Sequence, residues 1–349
     1  MKGKMEFLQN LRGCAALLVL IGHFLDMYVK HNNSTIYFSG ITSFVNSFEL
    51  GRVGVIVFFL ITGFVVPFSL QSKQGNFVIR QFLKRIAFRL YPAFWFSIFV
   101  ALTVAYGVGI NIDSLEQVVA NFTMIPKYLG YESVQGAYWT LHLLVVFYMG
   151  TAALYYLGYL KCLKVRTFVL FAFCLVAVFF AFLRFNLGVR VPIVMPLGLA
   201  TMVLGSIMRS HFESEGINLK NLAIVCCVYF ICLYLAQIMY YKEGWVRWFF
   251  PYLFGVVLFA AFIYKIRFSN SFLNFFGKIS YSCYLLHMLA LALVFNFMKN
   301  SAYSFTGIVY SFILSLLLTL FLSFLSYYFF EKLPGELQKK LYKYKQGAL

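Results

Sequence analysis

An arginine and a histidine stand eleven positions apart in an otherwise apolar stretch, RGCAALLVLIGH, with Arg12 at one end and His23 at the other. On a helix that spacing turns through about 1100°, roughly 20° past three full turns, so both side chains share one face about 16 Å apart. This is about half the thickness of a hydrocarbon core, which puts one group near a membrane surface and the other near the midplane. An ionisable residue at such depth costs at least about 2.5–3.5 kcal/mol and is a functional candidate for that reason. A neutral histidine hydrogen-bonded between helices is the competing structural reading of His23. Arg12 on the same face favours chemistry, because a guanidinium draws an anionic ligand toward an imidazole base. Asp26 follows His23 at i+3, near enough to orient the ring; the alternative is a carboxylate at the outer interface.

A second cluster, RQFLKRIAFRLYP over residues 80–92, holds Arg80, Lys84, Arg85 and Arg89 at the entry to an apolar run. Orientation in the membrane explains part of this charge, but the density exceeds that need, and clustered arginines suit phosphate. In AYWTLHLLVVFY, Trp139 reads as an interface anchor and His142 as a side chain that either packs or meets substrate. His287 in SYSCYLLH is mid-membrane again, with packing or a hydrogen bond favoured over catalysis. The seven cysteines show no paired spacing and read as reduced, buried thiols. No GxSxG, P-loop or metal-ligand spacing is present.

The elements that must position these groups are membrane helices. The chain has 349 residues, 62% of them hydrophobic and 11% charged. Soluble domains carry about 25% charged residues, so an integral membrane protein is indicated. Apolar runs long enough to span occur at 8–29, 53–70, 88–110, 137–158, 167–183, 191–208, 221–241, 245–264, 279–298 and 304–330. The fold class expected is therefore an all-α bundle of about ten transmembrane helices, forming one domain over residues 1–349 with no attached soluble domain. Of the 29 lysines and arginines, 21 fall on the side of the N-terminus when segments alternate and eight on the other, which predicts cytoplasmic termini. The net charge of +18 thus reads as topology, with no call for nucleic acid as a partner. Two far-side loops are long, about 30–51 and 111–136, and the second has an apolar middle suited to a short interfacial or re-entrant helix.

Taken in order, these segments resemble the acyltransferase 3 family of membrane acyltransferases. LRGCAALLVLIGHF is similar to its first-helix signature and GVIVFFLITGF (54–64) to its second, with Thr62 for the usual serine. FLKRIAFRLYPAFW resembles the basic third-helix entry, FGKISYSCYLLH the motif before the last-but-one helix, and FFEKLP (329–334) the C-terminal ending. Three positions depart from the pattern. Ile56 stands where the family often has an acid, Leu144 where it often has a glutamate, and Arg85 and Arg89 have three residues between them instead of two.

The resemblance implies acyl transfer, often O-acetylation, from acyl-CoA to a hydroxyl of a cell-surface polysaccharide or lipid-linked glycan, in a bacterial inner membrane. Acyl-CoA enters as donor substrate, with no bound cofactor and no metal. His23 would be the general base, with Arg12 and Asp26 beside it. Arg80, Lys84, Arg85 and Arg89 would hold the donor's phosphates, and Trp139 and His142 the acceptor. A transporter or flippase for a glycan or lipid is the alternative, and it predicts paired helices broken by Gly or Pro. Pro192 and Pro196 are the one local hint of such a break, without a matching partner segment.

Overall fold

The computed structural model describes residues 6–31, 39–71, 76–108, 114–189, 191–266, 270–298 and 305–337. Several residues of the charge count, among them Lys2, Lys4, Lys73, Arg190, Arg267, Lys299 and the C-terminal lysines, lie outside this set. In chain order the helices are α1 (Glu6–His31), α2 (Ser39–Ser47), α3 (Leu50–Gln71), α4 (Asn76–Val108), α5 (Leu115–Asn121), α6 (Trp139–Tyr156) and α7 (Leu163–Leu187). They continue with α8 (Val194–Phe212), α9 (Leu219–Tyr241), α10 (Trp245–Tyr264), α11 (Ser271–Lys278), α12 (Ser280–Phe297) and α13 (Phe305–Ser326). Each of the ten apolar runs falls on a helix, as it must where no water is present to satisfy backbone groups. Eight stretches among the described residues are long and apolar enough to cross a membrane, and one of them, 219–264, holds both α9 and α10. The protein is an all-α membrane bundle.

The chain divides into two compact units. The first comprises residues 1–25, 36–78 and 146–277. Its centre is α8, buried at every position from Pro196 to Ser210. A helix that is apolar or small on all sides is suited to that place. Pro192 precedes α8 and Pro196 sits in its first turn, where a missing N–H leaves no ladder bond unmade. Helices α3, α7 and α9 surround it. Contact with α3 is backbone to backbone, since a Cβ on Gly63 would overlap the Met202 carbonyl and one on Gly205 the Leu60 carbonyl.

Two arginines that the topology count treats as surface charge are inside this unit. Arg166 is 4% exposed and Arg209 8%. Arg166 donates to the Ser206 carbonyl at 2.9 Å and to Ser210 Oγ at 2.7 Å, joining α7 to α8. Arg209 pairs with Glu213 at 2.6 Å, and its guanidinium lies 4.8 Å from the centre of the Phe64 ring. Phe68 lies between them, with Arg166 5.6 Å and Arg209 5.3 Å from its ring centre. Replacing Arg166 with methionine keeps much of the volume but removes two charge-assisted bonds and leaves the buried Ser210 hydroxyl without its donor. Thermal unfolding in detergent is expected to show a loss of about 2 kcal/mol, and Arg166→Lys should recover only part of it because the fork geometry is lost.

The second unit comprises residues 26–35, 79–145 and 278–349. Its long loop is folded: α5 is the short helix expected there, capped by Ser114, whose Oγ accepts from the Gln117 N–H at 3.2 Å. Asn121 then ties the loop together, donating to the Glu132 carbonyl at 3.0 Å and accepting from the Val134 N–H at 3.0 Å. Trp95 Nε1 and the Tyr91 hydroxyl on α4 hold it from below by donating to the carbonyls of Phe122 and Thr123. At the other end α13 presents Ser311, Ser315, Thr319, Ser323 and Ser326, all buried, in the small-residue spacing that brings membrane helices close. A π-helix over Tyr327–Lys332 continues α13. It carries Glu331 to Ser282 of α12, with Oε1 2.5 Å from Oγ, and Ser326 Oγ lies 2.8 Å from the same hydroxyl.

Candidate active site

Helix α1 is unbroken from Glu6 to His31, so Arg12 and His23 ride on one rod and keep the shared face that their spacing implies. Both are half-buried, whereas Leu11, Ala15, Ala16, Val19, Leu20 and Phe24 are buried against the rest of the unit. At the Arg12 end α1 meets α11 through backbone: a Cβ on Gly13 would overlap the Leu273 carbonyl, and one on Gly277 the Gln9 carbonyl. At the His23 end it meets the start of α3, where a Cβ on Gly22 would overlap the Gly51 nitrogen. These two contacts fix the rod at each end of the Arg12–His23 face.

The approach at Gly51 sets the surroundings of the imidazole. A Cβ at Gly51 would sit 3.6 Å from His23 Nε2, so the ring nitrogen lies over the first turn of α3. The N-terminus of a helix presents N–H groups and the positive end of its dipole. That end of a helix suits negative charge on an oxygen held beside it.

That first turn is itself clamped by residues the sequence reading passed over. Glu49 N–H donates to the Arg247 carbonyl at 3.4 Å, and Arg247 donates back to Glu49 Oε2, with Nη2 at 3.0 Å and Nε at 3.2 Å. The loop before α3 is thereby tied to the start of α10. Arg52, next to Gly51, lies with its guanidinium 4.3 Å above the Trp248 ring and hydrogen-bonds the buried Tyr252 hydroxyl. The signal in the sequence was slight: an arginine two residues before the second-helix motif, and an Arg–Trp pair about 195 residues later, without anything to join them.

Ile56, where the family pattern often has an acid, is 1% exposed and packs against Gly255 of α10, whose added Cβ would lie 2.7 Å from Ile56 Cγ2. The apolar side chain fills that place. Asp26 is half-buried one turn beyond His23 on α1.

The remaining predicted residues belong to the second unit. Arg80, Lys84, Arg85 and Arg89 are all exposed along the first half of α4. Trp139 opens α6 and is half-buried, while His142, 5% exposed, meets the Tyr128 ring edge-on at 5.9 Å. Nearby, the Tyr284 hydroxyl donates to the Ala137 carbonyl at 2.8 Å and lies 2.7 Å from Thr140 Oγ1, which pins α6 to α12. His287 Nδ1 lies 3.1 Å from the Cys283 carbonyl within α12, the hydrogen-bonded role favoured for it. His211 is in the last turn of α8 with Nδ1 2.8 Å from the Tyr264 hydroxyl.

Among known proteins, neither the curated sequences nor the solved structures include a match to this chain. The model of one family, described as an acyltransferase domain, matches residues 5–328. That range takes in the Arg12–His23 rod, the clamped start of α3, the basic entry to α4 and the motif leading into α12. The chain belongs to the acyltransferase 3 family, and it is a membrane acyltransferase.

Proposed function

We propose that the protein moves an acyl group, most often acetyl, from cytosolic acyl-CoA to a hydroxyl of a cell-surface polysaccharide or lipid-linked glycan. It does so in a bacterial inner membrane with both termini in the cytoplasm. The observation that carries this reading is the setting of His23: its Nε2 faces the first turn of α3, on the same helix face as Arg12.

In this reading His23 Nε2 takes the proton of the acceptor hydroxyl as the oxygen attacks the thioester carbonyl. The charge on the carbonyl oxygen is met by the N-terminal end of α3. Collapse breaks the carbon–sulfur bond, and the departing CoA sulfur takes the proton back from His23. Arg12 attracts the anionic donor, and Asp26 orients the imidazole. Arg80, Lys84, Arg85 and Arg89 bind the phosphates of CoA, and Trp139 and His142 bind the acceptor.

The test is turnover of radiolabelled acetyl-CoA by membranes containing the protein, read as CoA release together with label in a glycan. Absence of turnover with every acyl-CoA offered, in the presence of a plausible glycan acceptor, would move the assignment to transport. The donor site has its own test. Arg85→Ala with Arg89→Ala is expected to raise the KM for acetyl-CoA about tenfold or more with kcat little changed, because two charge-assisted contacts to phosphate are lost. An unchanged KM would place the donor's phosphates elsewhere.

A further inference from the structure

The end of the first unit that carries the start of α3 holds two arginines beyond the one in the clamp on that helix. Arg247 is bound to Glu49 by two nitrogens; the others are Arg52 on α3 and Arg184 in the last turn of α7. Arg184 lies with its guanidinium 3.9 Å from the centre of the Tyr240 ring. Both Arg184 and Arg52 interact electrostatically with Tyr241, the next residue of α9. Tyr241 stacks on Trp248 at 4.9 Å, and Arg52 lies over the same Trp248 ring. Guanidiniums from two helices therefore converge on one phenol. In the turn that follows, Lys242 and Glu243 are both exposed and offset each other, as Arg247 and Glu49 do.

Two observations point to a ligand at this place. Arg184 is half-buried at the end of an apolar helix, and among the described residues its guanidinium makes neither a hydrogen bond nor an ion pair. A charge taken partly out of water without a counter-charge is costly. On the orientation proposed above, an arginine at this end also works against the bias that sets topology. The second observation is Gln237 on α9, which is 2% exposed and whose amide oxygen has no hydrogen-bond partner among the described residues. Buried polar atoms are nearly always partnered, because the loss of water is otherwise uncompensated. Gln237 stands eight residues after Tyr229 and four before Tyr241, on one stripe of α9. The Tyr229 hydroxyl lies 2.8 Å from Thr201 Oγ1 of α8, so that stripe faces into the unit. Tyr229 and Tyr241 both interact with Tyr252 of α10, the phenol that Arg52 hydrogen-bonds. The buried amide oxygen is therefore on the inward stripe, one turn below Tyr241.

The chemistry selects what binds. A guanidinium stacked on an aromatic ring keeps its N–H edge in a fixed plane, which suits the paired oxygens of a carboxylate or phosphate. A neutral molecule would leave the Arg184 charge unmatched, and a cation would be repelled. The amide oxygen one turn deeper accepts from a hydroxyl or N–H of the same molecule. We propose that Arg184, with Arg52 and Tyr241 beside it and Gln237 below, forms a subsite for a carboxylate or phosphate on a molecule that also carries a hydrogen-bond donor. Arg52 follows Gly51, the residue against which His23 Nε2 lies, so the subsite adjoins the place of the proposed transfer. Resting on that reading, the anion is a fixed charge on the acceptor, and the subsite selects acidic acceptors over neutral ones. The phosphate of an anionic phospholipid offers the same chemistry, and the experiment separates the two sources.

The test uses the full-length protein without acyl donor, in nanodiscs of phosphatidylcholine alone or with added phosphatidylglycerol. Saturation-transfer NMR is run with methyl glucuronide, glucose-1-phosphate and neutral methyl glucoside as probes. At least one of the two anions is expected to bind about tenfold more tightly than methyl glucoside, with the preference shrinking as salt is raised. Arg184→Gln is expected to remove that preference with a melting temperature near wild type, because the guanidinium holds no described residue by a hydrogen bond. Gln237→Leu is expected to weaken anion binding about threefold while holding or raising the melting temperature, since it removes a buried amide oxygen without a partner. If neither sugar anion binds, but phosphatidylglycerol raises the melting temperature of the wild type and not of Arg184→Gln, the subsite stands and its anion is a lipid headgroup. Methyl glucoside binding as tightly as the anions, or wild-type anion binding in Arg184→Gln, would overturn the proposal. So would a protein that binds neither sugar anion and does not respond to phosphatidylglycerol. Anion binding in a protein that turns over no acyl-CoA would uphold the subsite and reject the acyl-CoA reading alone.

Discussion

Replacing His23 with alanine is expected to lower acyl transfer by about 10²- to 10⁴-fold, the range supplied by a positioned general base. That corresponds to roughly 3–5 kcal/mol of lost transition-state stabilisation. On the proposed mechanism the effect should fall on kcat, because the imidazole would act on the reacting hydroxyl and add little to ground-state binding. His23 is half-buried at the edge of the α1–α3 contact, and alanine leaves Gly22 and its close approach to Gly51 in place, so expression and melting behaviour should be close to wild type. The measurement is label transferred from acetyl-CoA per unit of protein in membranes. Arg12→Ala assayed alongside should show a different pattern, a raised KM for the donor, since it attracts the ligand without meeting the proton. Full activity in His23→Ala would retain the acyltransferase and remove the histidine from its mechanism.

How much of this was legible beforehand depends on the distance over which each feature is encoded. The long helices were readable because hydrocarbon leaves a backbone no other course, and the Arg12–His23 face follows from eleven residues of helical arithmetic. Helix α2, SGITSFVNS, was read as loop: nine residues with five hydroxyl or amide side chains carry neither the length nor the hydropathy of a span. The clamp on α3 was barely legible, because Glu49 and Arg247 are 198 positions apart and neither is unusual in its own segment. The burial of Arg166 and Arg209 went unread for a different reason. A charge count assigns arginines to a side of the membrane without distinguishing a solvated guanidinium from one buried against Phe68. Gln135 drew no notice because a glutamine in a loop is ordinary until its amide is found buried with no hydrogen-bond partner among the described residues.

Gly22→Ala is expected to cost more activity than its single added methyl group suggests. The new Cβ would overlap the Gly51 nitrogen and approach the Gly51 Cα at 2.6 Å and the Leu50 carbonyl carbon at 3.1 Å. All three are backbone atoms, so no side chain can turn aside, and α1 must separate from the start of α3. The Glu49–Arg247 clamp holds that start to α10 and resists the movement. A separation of about 1 Å in a catalytic arrangement is enough to lose on the order of a hundredfold in rate. The expected result is a kcat lowered to that degree, with a smaller fall in melting temperature than a buried clash inside the core would produce. Gly150→Ala is the control: it lies within α6 with nothing within 4 Å of an added Cβ, so activity should hold and stability rise slightly. If Gly22→Ala instead kept its full kcat while its melting temperature fell, the α1–α3 contact would be structural only. The developing negative charge beside His23 would then have to be met by something other than the first turn of α3.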